Sequence, residues 1–218
     1  MDRTPHTPAS PAPRPPAPPP LRTARLDLMP LAVHHADEMR AVLADPALHA
    51  FIGGTPPTAD ELRARYARQS AGSPDPDVLW ANWVIRLRTG REDGERGAGH
   101  GHGHGGDDYS DGDGSAAGRG GGAGPLIGTV QSTVSPAEGG ASEAELAWVV
   151  GTPWQGRGFA TEAARALAGW ATSLPVSTLV AHIAPDHHAS AAVAAACGLA
   201  PTGLVHDGEI RWEHRTTA

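Results

Sequence analysis

Proline and glycine are concentrated in two blocks of this 218-residue sequence, and both blocks limit what the chain can fold into. Residues 1–20 hold nine prolines, and residues 90–124 hold fifteen glycines. Proline lacks a backbone donor, and glycine loses the most conformational freedom when it is ordered. Neither block has the apolar side chains that would offset this loss. We therefore expect a disordered Pro-rich tail at 1–20 and one folded domain at 21–218, interrupted by a disordered Gly/His/Asp-rich insert at 90–124.

The charges and the single cysteine exclude several classes of protein. All seventeen basic residues are arginine, and the net charge is −7, of which the tail carries +1 and the insert −4. The remaining −4 is not the basic footprint of a nucleic-acid-binding protein. No apolar run approaches the roughly 20 residues of a membrane span, and the first residues lack the apolar stretch of a secretory signal. Cys197 alone excludes an internal disulfide framework. The sequence thus predicts a cytoplasmic protein with no nucleic-acid or membrane partner.

Outside the two blocks, hydrophobic periodicity predicts strands that alternate with helices. The predicted strands cover 23–31, 79–87, 125–134, 141–150, 177–184, 203–205 and 208–214. The predicted helices cover 35–45, 158–172 and 186–197, and another begins after Thr58. Thr58 and Glu61 form a capping-box pattern, and Asp207-Gly208 is typical of a hairpin turn. This order predicts a mixed sheet flanked by helices, of the α/β or α+β class.

A histidine–glycine tract lies inside the insert, at 99–106 (GHGHGHGG). His100, His102 and His104 occupy every second position, and imidazoles are common ligands of divalent metals. The glycines between them fix no ligand geometry. We therefore favour a solvated loop over a metal site, and we expect the protein to require no metal.

The most informative segment is WVVGTPWQGRGFATEAARAL, residues 148–167, in which an apolar strand, a glycine-containing loop and a helix follow one another. Gly156 and Gly158 let backbone N–H groups approach a ligand closely. The start of the helix adds about half a positive charge, and Arg157 adds a full one. Together they would form an anion site suited to a pyrophosphate. A glycine-rich turn without a ligand has the same pattern, and the residues alone do not decide between the two.

The segment QGRGFA (155–160) resembles the pyrophosphate loop of GNAT-type N-acetyltransferases. TEA at 161–163, LRTARLDLMPL near the start and EAELAWVV before the loop resemble the branch that includes ribosomal-protein N-terminal acetyltransferases. A fourth segment, 184–199, is similar to that branch at Pro185, Asp186, Ser190, Val193 and Gly198. It differs in having His187 where asparagine is usual and Leu199 where phenylalanine is usual.

The resemblance implies a mixed, mostly antiparallel sheet whose fourth and fifth strands splay apart, with acetyl-CoA in the gap. Backbone groups of three consecutive residues would pair with the pantetheine arm: Trp148, Val149 and Val150. Backbone N–H groups of the loop would hold the pyrophosphate: Gln155, Gly156, Arg157, Gly158, Phe159 and Ala160. Thr161 would also contact the pyrophosphate, and His187 would contact the pantetheine or simply cap its helix.

The chemistry implied by the cofactor requires a neutral amine, so a general base is needed. An α-amine has a pKa of about 7.7–8.0 and a lysine-like amine about 10.4. At neutral pH an α-amine is therefore the easier of the two for that base to deprotonate. The sequence offers Glu143, Glu145, His182 and His187, of which Glu145 stands where the family often has glutamate. A solvent-exposed carboxylate on an alternating strand is the competing interpretation of Glu145. A β-bulge amide near Val149 or Val150 is the expected donor to the developing negative charge.

The leaving sulfur and the acceptor have weaker candidates. Ser190 matches a position proposed in this branch to act on the sulfur, although serine also commonly hydrogen-bonds at a helix start. The tyrosine that protonates the sulfur in other branches would fall near Ala194. Glu209 and Trp212 are expected on the acceptor side, and Cys197 is expected in the core.

The sequence therefore predicts an acetyl-CoA-dependent N-acetyltransferase whose acceptor amine, on a protein N-terminus or a small molecule, attacks directly in a ternary complex. The catalytic candidates are Glu145 and Ser190. A non-catalytic CoA-binding sensor or interaction protein on the same fold is the alternative, and a His-Gly metal-binding protein is a third hypothesis. The oligomeric state and the acceptor are not predicted.

Overall fold

A computed structural model of the chain describes residues 17–89, 124–137 and 140–216. Most of the Pro-rich tail and all of the insert except Gly124 lie outside the described residues, including His100, His102 and His104. The predictions that the tail and the insert are disordered, and that the histidines bind no metal, therefore remain predictions.

The described residues form one eight-stranded sheet in the order β1-β2-β3-β4-β5-β6-β8-β7. The strands are β1 (Leu21–Arg22), β2 (Leu26–Pro30), β3 (Leu79–Leu87), β4 (Leu126–Pro136), β5 (Ser142–Val150), β6 (Thr178–Ile183), β7 (Ala200–His206) and β8 (Glu209–Arg215). Neighbouring strands are antiparallel except β5 and β6, which are parallel. The predicted mixed, mostly antiparallel sheet is confirmed.

Within the same described ranges, five α-helices flank the sheet: α1 (Ala36–Val42), α2 (Pro46–Ile52), α3 (Ala59–Ala71), α4 (Phe159–Ala171) and α5 (His188–Ala196). Short 3-10 turns cover Val33–His35 and Thr152–Trp154. No helix in the described ranges is both long enough and apolar enough to span a bilayer.

Different helices cover the two faces of the sheet. On one face, Leu167 of α4 is fully buried in a cluster with Trp83, Val130 and Leu146. The opposite face carries a second cluster, built by α1 and α3 over β3 and β4: Met39, Leu62, Tyr66, Val84 and Leu126 are among its members. This division follows from strand geometry, because successive side chains point to opposite faces.

Two local signals in the sequence are confirmed in detail. The Thr58 hydroxyl accepts the Glu61 amide at 3.3 Å, and the Glu61 carboxylate accepts the Thr58 amide at 2.8 Å, so the capping box opens α3. Asp207 and Gly208 both have positive φ, at 49° and 85°, as a two-residue turn between antiparallel strands requires.

The helix predicted over 35–45 is present as α1, which ends at Val42, but the second helix that follows it, α2, was not predicted. Asp45 has extended backbone angles, and its carboxylate accepts the Ala47 amide at 2.9 Å. Pro46 follows at the first helical position, where its missing N–H costs nothing. An aspartate followed by proline is a helix-start signal, so α2 was predictable from these two residues.

The β3–β4 ladder holds the two ends of the insert together. The Leu87 amide donates to the Pro125 carbonyl at 2.9 Å. A Cβ on Gly124 would lie 2.0 Å from the Leu87 carbonyl oxygen, so this position requires glycine. The two strands can therefore be joined by a connection much shorter than 90–123.

We expect that replacing residues 90–123 by a four-residue Gly/Asn loop will leave the fold intact. The shorter loop costs less closure entropy, by about 0.6 kcal/mol for each halving, so the free energy of unfolding should rise by up to ~2 kcal/mol. Urea unfolding followed by circular dichroism measures this. A fall of similar size would show that the removed segment stabilises the domain.

Glu162, in the first turn of α4, fixes the helix start to the segment before β2. Its carboxylate accepts the Thr23 hydroxyl at 2.6 Å, the Arg25 amide at 2.8 Å and the Arg25 Nε at 2.6 Å. Partial burial by itself would raise the pKa of Glu162, but these hydrogen bonds outweigh it and hold the pKa below its ordinary value. A carboxyl with a lowered pKa stabilises the fold while it is ionised.

Glu162→Gln should therefore lower the free energy of unfolding by about 1–2 kcal/mol at pH 7, since charge-assisted hydrogen bonds are weakened. The difference from wild type should persist above the ordinary glutamate pKa of 4.5 and shrink as the pH falls below it. Urea unfolding at a series of pH values checks this, with Asp77→Asn as an exposed control. A difference that is the same at pH 7 and pH 3 would contradict the ionised network.

Candidate functional site

The site begins where two parallel strands separate. β5 and β6 pair only from Glu143 opposite Thr178 to Glu145 opposite Val180. Beyond Glu145, β5 continues along β4 as far as Val150 while β6 diverges from it. These are the strands predicted as the fourth and fifth, because β1 was not predicted. The expected splay is therefore present.

Strand alternation decides which backbone groups of β5 face this gap. The Gly151 amide donates to the Ile127 carbonyl of β4 at 2.8 Å. Because hydrogen bonds alternate along an antiparallel ladder, the Val149 amide also faces β4, and those of Trp148 and Val150 face the gap. The β4–β5 register continues without a shift, so the expected β-bulge in β5 was wrong. The bulge in this part of the sheet lies between β3 and β4, beside Ile85.

The loop after β5 presents unpaired backbone N–H groups. Gly156 and Gly158 have φ values of 71° and 78°, which side-chain-bearing residues rarely adopt. Gly158 is the residue before α4, and as a glycine it has no side chain that could cap the helix. The first backbone hydrogen bond of the helix is donated by the Glu162 amide to the Gly158 carbonyl. The amides of Phe159, Ala160 and Thr161 therefore have no acceptor within the helix. These donors, with the helix dipole, fit an anionic pyrophosphate.

Two arginines add positive charge beside this loop. The guanidinium carbons of Arg25 and Arg157 lie 4.6 and 5.1 Å from the ring centroid of Phe159. Arg25 also donates to the Arg157 carbonyl at 3.1 Å, while Glu162 fixes its Nε. Sequence reasoning found Arg157 but missed Arg25, because Arg25 reaches the loop from the start of the chain.

A cavity of about 710 Å³ runs from the loop along the gap. It lies between α2, β5, α4 and α5. Of the predicted binding residues, it is lined by Trp148, Val149, Val150, Gln155, Gly156, Gly158, Phe159, Ala160, Thr161 and His187, and Ser190 also lines it. Arg157 does not line this cavity. The structure thus brings the predicted binding residues, Arg157 excepted, to one continuous groove.

A second cavity, of about 400 Å³, lies on the α3 side of the gap. Its charged or titratable lining residues are His49, Arg65, Tyr66, Glu145, His182, His187 and Glu209. Both cavities share the residues Phe51, Ile52, Trp148, Val149, His187 and Ser190. Two molecules bound in these cavities would therefore meet beside Trp148.

Glu145 and His182 form the polar pair of the second cavity. The His182 Nδ1 lies 3.2 Å from Glu145 Oε1, and the two side chains are 18% and 49% exposed. Neighbouring parallel strands and the same face of the sheet bring them together. Glu143, by contrast, accepts Arg211 Nη2 at 2.8 Å in an ion pair that also includes Glu213, so it is already engaged.

His187 and Ser190 of the α5 region lie where the two cavities join. The His187 ring stacks on Phe51 of α2, with centroids 3.9 Å apart, and it does not cap α5 through its side chain. Burial lowers the pKa of His187, although Asp186 opposes this, which favours the neutral imidazole. Ser190 forms no hydrogen bond with any described residue, so the helix-capping role is not observed.

The remaining candidates divide between site and core. Glu209 lines the second cavity, whereas Trp212 packs against the cluster beneath β6 and lines neither cavity. Cys197 also packs against this cluster, and burial raises the pKa of its thiol. In the part of the chain that is described, no group of three metal-binding side chains occurs.

Sequence reasoning missed the residues that α2 and α3 contribute. Phe51 and Ile52 border both cavities, and Arg65 and Tyr66 line the second. Tyr66 appears in the sequence only as a core position of an amphipathic helix, one turn after Leu62. Nothing in that spacing distinguishes a core tyrosine from one beside a cavity.

Comparisons with known proteins agree with this geometry. A family model described as "Acetyltransferase (GNAT) domain" matches residues 25–200. A comparison with curated proteins found no match. Among solved structures, an acetyltransferase from Agrobacterium tumefaciens str. C58 is similar with a TM-score of 0.60 and 24% identity, over 92% of this chain and 96% of that one.

Two further structures share the fold at lower identity. The microcin C7 self-immunity acetyltransferase MccE, in complex with acetyl-CoA and AMP, has a TM-score of 0.59 and 13% identity, over 89% of this chain and 94% of that one. A candidate ribosomal-protein-serine acetyltransferase from Vibrio cholerae has a TM-score of 0.56 and 16% identity, over 90% and 97%. The family match covers most of the chain, and the splayed sheet and the amide-rich loop agree with it: the chain belongs to the GNAT acetyltransferase family.

Proposed function

We propose that this chain transfers the acetyl group of acetyl-CoA to a primary amine, on a protein N-terminus or a small molecule, by direct attack in a ternary complex. One observation carries the proposal. A groove that ends at unpaired loop amides and a cavity that contains Glu145 and His182 meet at the splay of β5 and β6. Two substrates can therefore be bound at once, with their reactive ends adjacent.

The groove fits acetyl-CoA at both of its ends. The amides of residues 159–161 and the charge of Arg157 suit the pyrophosphate. Both backbone groups of Trp148 and the amide of Val150 face the gap and suit the amide-containing pantetheine arm. When bound, acetyl-CoA supplies an acetyl group already activated as a thioester. The Gln155 side chain donates to the Val150 carbonyl at 2.9 Å and so holds the loop against the end of β5.

The Glu145–His182 pair supplies the base in this proposal. A proton on His182 Nδ1 donates to Glu145, which leaves Nε2 to accept a proton from the amine. Ser190, whose hydroxyl has no partner among the described residues, can donate a hydrogen bond to the departing sulfur. The proposed location is the cytoplasm, since acetyl-CoA is a metabolite of the cell interior.

Gly158→Val should weaken acetyl-CoA binding by roughly two to four powers of ten, because two charge-assisted hydrogen bonds are lost. The backbone at Gly158 has φ of 78°, so valine also strains the loop and destabilises the fold by about 1–3 kcal/mol. Calorimetric titration with acetyl-CoA, beside circular dichroism, measures both effects.

Gly203→Val is the matched control, since Gly203 lies on an exposed strand with nothing within 4 Å of an added Cβ. Arg157→Ala should weaken binding less than Gly158→Val, and by an amount that shrinks as salt is added. Normal acetyl-CoA binding by folded Gly158→Val would disprove the loop assignment.

His182→Asn should lower kcat/KM for amine acetylation by about 10²- to 10⁴-fold and leave acetyl-CoA affinity unchanged, because general-base catalysis is removed. Glu145→Gln should have a smaller effect in the same direction. The exposed His206, whose ring centroid lies 5.9 Å from that of His182, provides the control His206→Asn.

The assay is release of free CoA thiol with a panel of amines. Acetyl-CoA binding by wild type without turnover of any amine would favour the non-catalytic sensor. Turnover that is equal in wild type and His182→Asn would reject His182 as the base.

A further inference from the structure

The sheet face beneath α3 carries a row of polar residues beside the second cavity, in addition to its apolar cluster. Asn82 of β3 pairs with Gln131 of β4, which pairs with Ala147 of β5. Both amide side chains line the second cavity, and Asn82 is itself buried. Their strand neighbours Trp83 and Val130 point into the apolar cluster under α4. The polar row is therefore a feature of this cavity and not of the sheet in general.

Tyr66 of α3 has an unused hydroxyl at this cavity. The residue is 2% exposed, and its hydroxyl has no hydrogen-bond partner among the described residues. Buried polar groups are almost always hydrogen-bonded, so an unpaired one needs an explanation. Burial raises the pKa of Tyr66 to about 12, which keeps the hydroxyl protonated and able to donate.

Arg65, the preceding residue, brings a positive charge that interacts electrostatically with Glu61 one turn earlier but forms no close ion pair with it. It is exposed, lines the same cavity, and lies within 4.0 Å of no carboxylate in the described ranges. Arg63 on the same helix is instead paired with Asp37 and Asp60. A guanidinium beside a tyrosine hydroxyl is a donor set suited to an oxyanion.

The opposite end of the cavity has the opposite charge. Glu145 and Glu209 line it together with His182. Asn82 lies on β3 and His182 on β6, so two strand spacings of about 4.8 Å each, and in addition the wider gap between β5 and β6, separate the two ends. An acceptor that fills the cavity would place its amine beside Glu145 and His182, and a second functional group beneath α3, beside Arg65 and Tyr66.

We propose that Tyr66 and Arg65 bind an oxyanion carried by the acceptor, so that the preferred acceptor is an amine that also bears a carboxylate or phosphate. The inference rests on the proposed function, because it assigns the amine to the Glu145–His182 end. The anion must lie several bonds from the amine, since the two subsites occupy different strands. Tyr66 and Arg65 are then specificity residues that do not take part in the proton transfer.

The test uses pairs of acceptors that differ only in charge. Diglycine, triglycine, 4-aminobutyrate and 6-aminohexanoate are each compared with the corresponding neutral amide, and an aminoalkyl phosphate tests the other anion. Wild type should acetylate at least one anionic amine with a kcat/KM roughly 10- to 100-fold above that of its neutral partner, as expected for one charge-assisted interaction. Comparison of the carboxylates with the phosphate identifies the anion.

The variants Arg65→Gln and Tyr66→Phe should each reduce this preference, mainly by raising KM for the anionic acceptor, and should change kcat/KM for the neutral amides by a smaller factor. Arg68→Gln, on α3 but outside the cavity lining, is the control. Tyr66→Phe should not lower the unfolding midpoint, since no hydrogen bond within the fold is lost. A lower midpoint would show that the hydroxyl is structural and overturn its assigned role.

The failures of the two proposals are distinguishable. Turnover of amines without any preference for the anionic members, or with a preference that survives Arg65→Gln, overturns this inference alone. Absence of turnover for every amine, with acetyl-CoA bound, overturns the proposed function and this inference together.

Discussion

The whole site depends on the point at which the β5–β6 ladder stops. Three residue pairs, from Glu143–Thr178 to Glu145–Val180, join the strands, and beyond them both strands keep their other neighbours. The sheet therefore remains intact on each side, while gap-facing backbone groups such as the Trp148 and Val150 amides have no strand partner in the described ranges. Leaving backbone donors and acceptors unpaired in a sheet interior costs free energy. A ligand with matching amides would restore the hydrogen bonds that are lost where the strands separate.

The sheet is used differently on its two faces. The face under α4 is close-packed and apolar, and it holds the strands in register up to the splay. The face under α3 is less fully packed, because it contains polar residues and a cavity beside Glu145. The residues proposed for catalysis and acceptor recognition thus lie on the less densely packed side, while the close-packed side contributes more apolar burial to stability. Glu162 contributes to both stability and the proposed site, because the hydrogen bonds that it accepts from Thr23 and Arg25 fix the helix start that would form the anion site.

Features that depend on a few neighbouring residues could be predicted from the sequence. The Thr58–Glu61 capping box and the two loop glycines act over a few residues, so their pattern is visible in the chain and appears in the structure. Other features depend on distant partners. Arg25 reaches the loop across more than 130 residues, and the unused hydroxyl of Tyr66 depends on what α3 packs over. The prediction of a β-bulge in β5 was wrong for the same reason, because the register of a strand depends on its distant partner strand.

Residue-resolved amide exchange, measured by NMR with and without acetyl-CoA, tests most directly whether the splay is the cofactor site. The Val149 amide faces β4 and should exchange slowly in both states. The amides of Trp148 and Val150, and those of residues 159–161, should exchange faster in the free protein and become protected when acetyl-CoA is added. Protection that is confined to other parts of the sheet, or rates at these amides that do not change in a protein that binds acetyl-CoA, would contradict the account.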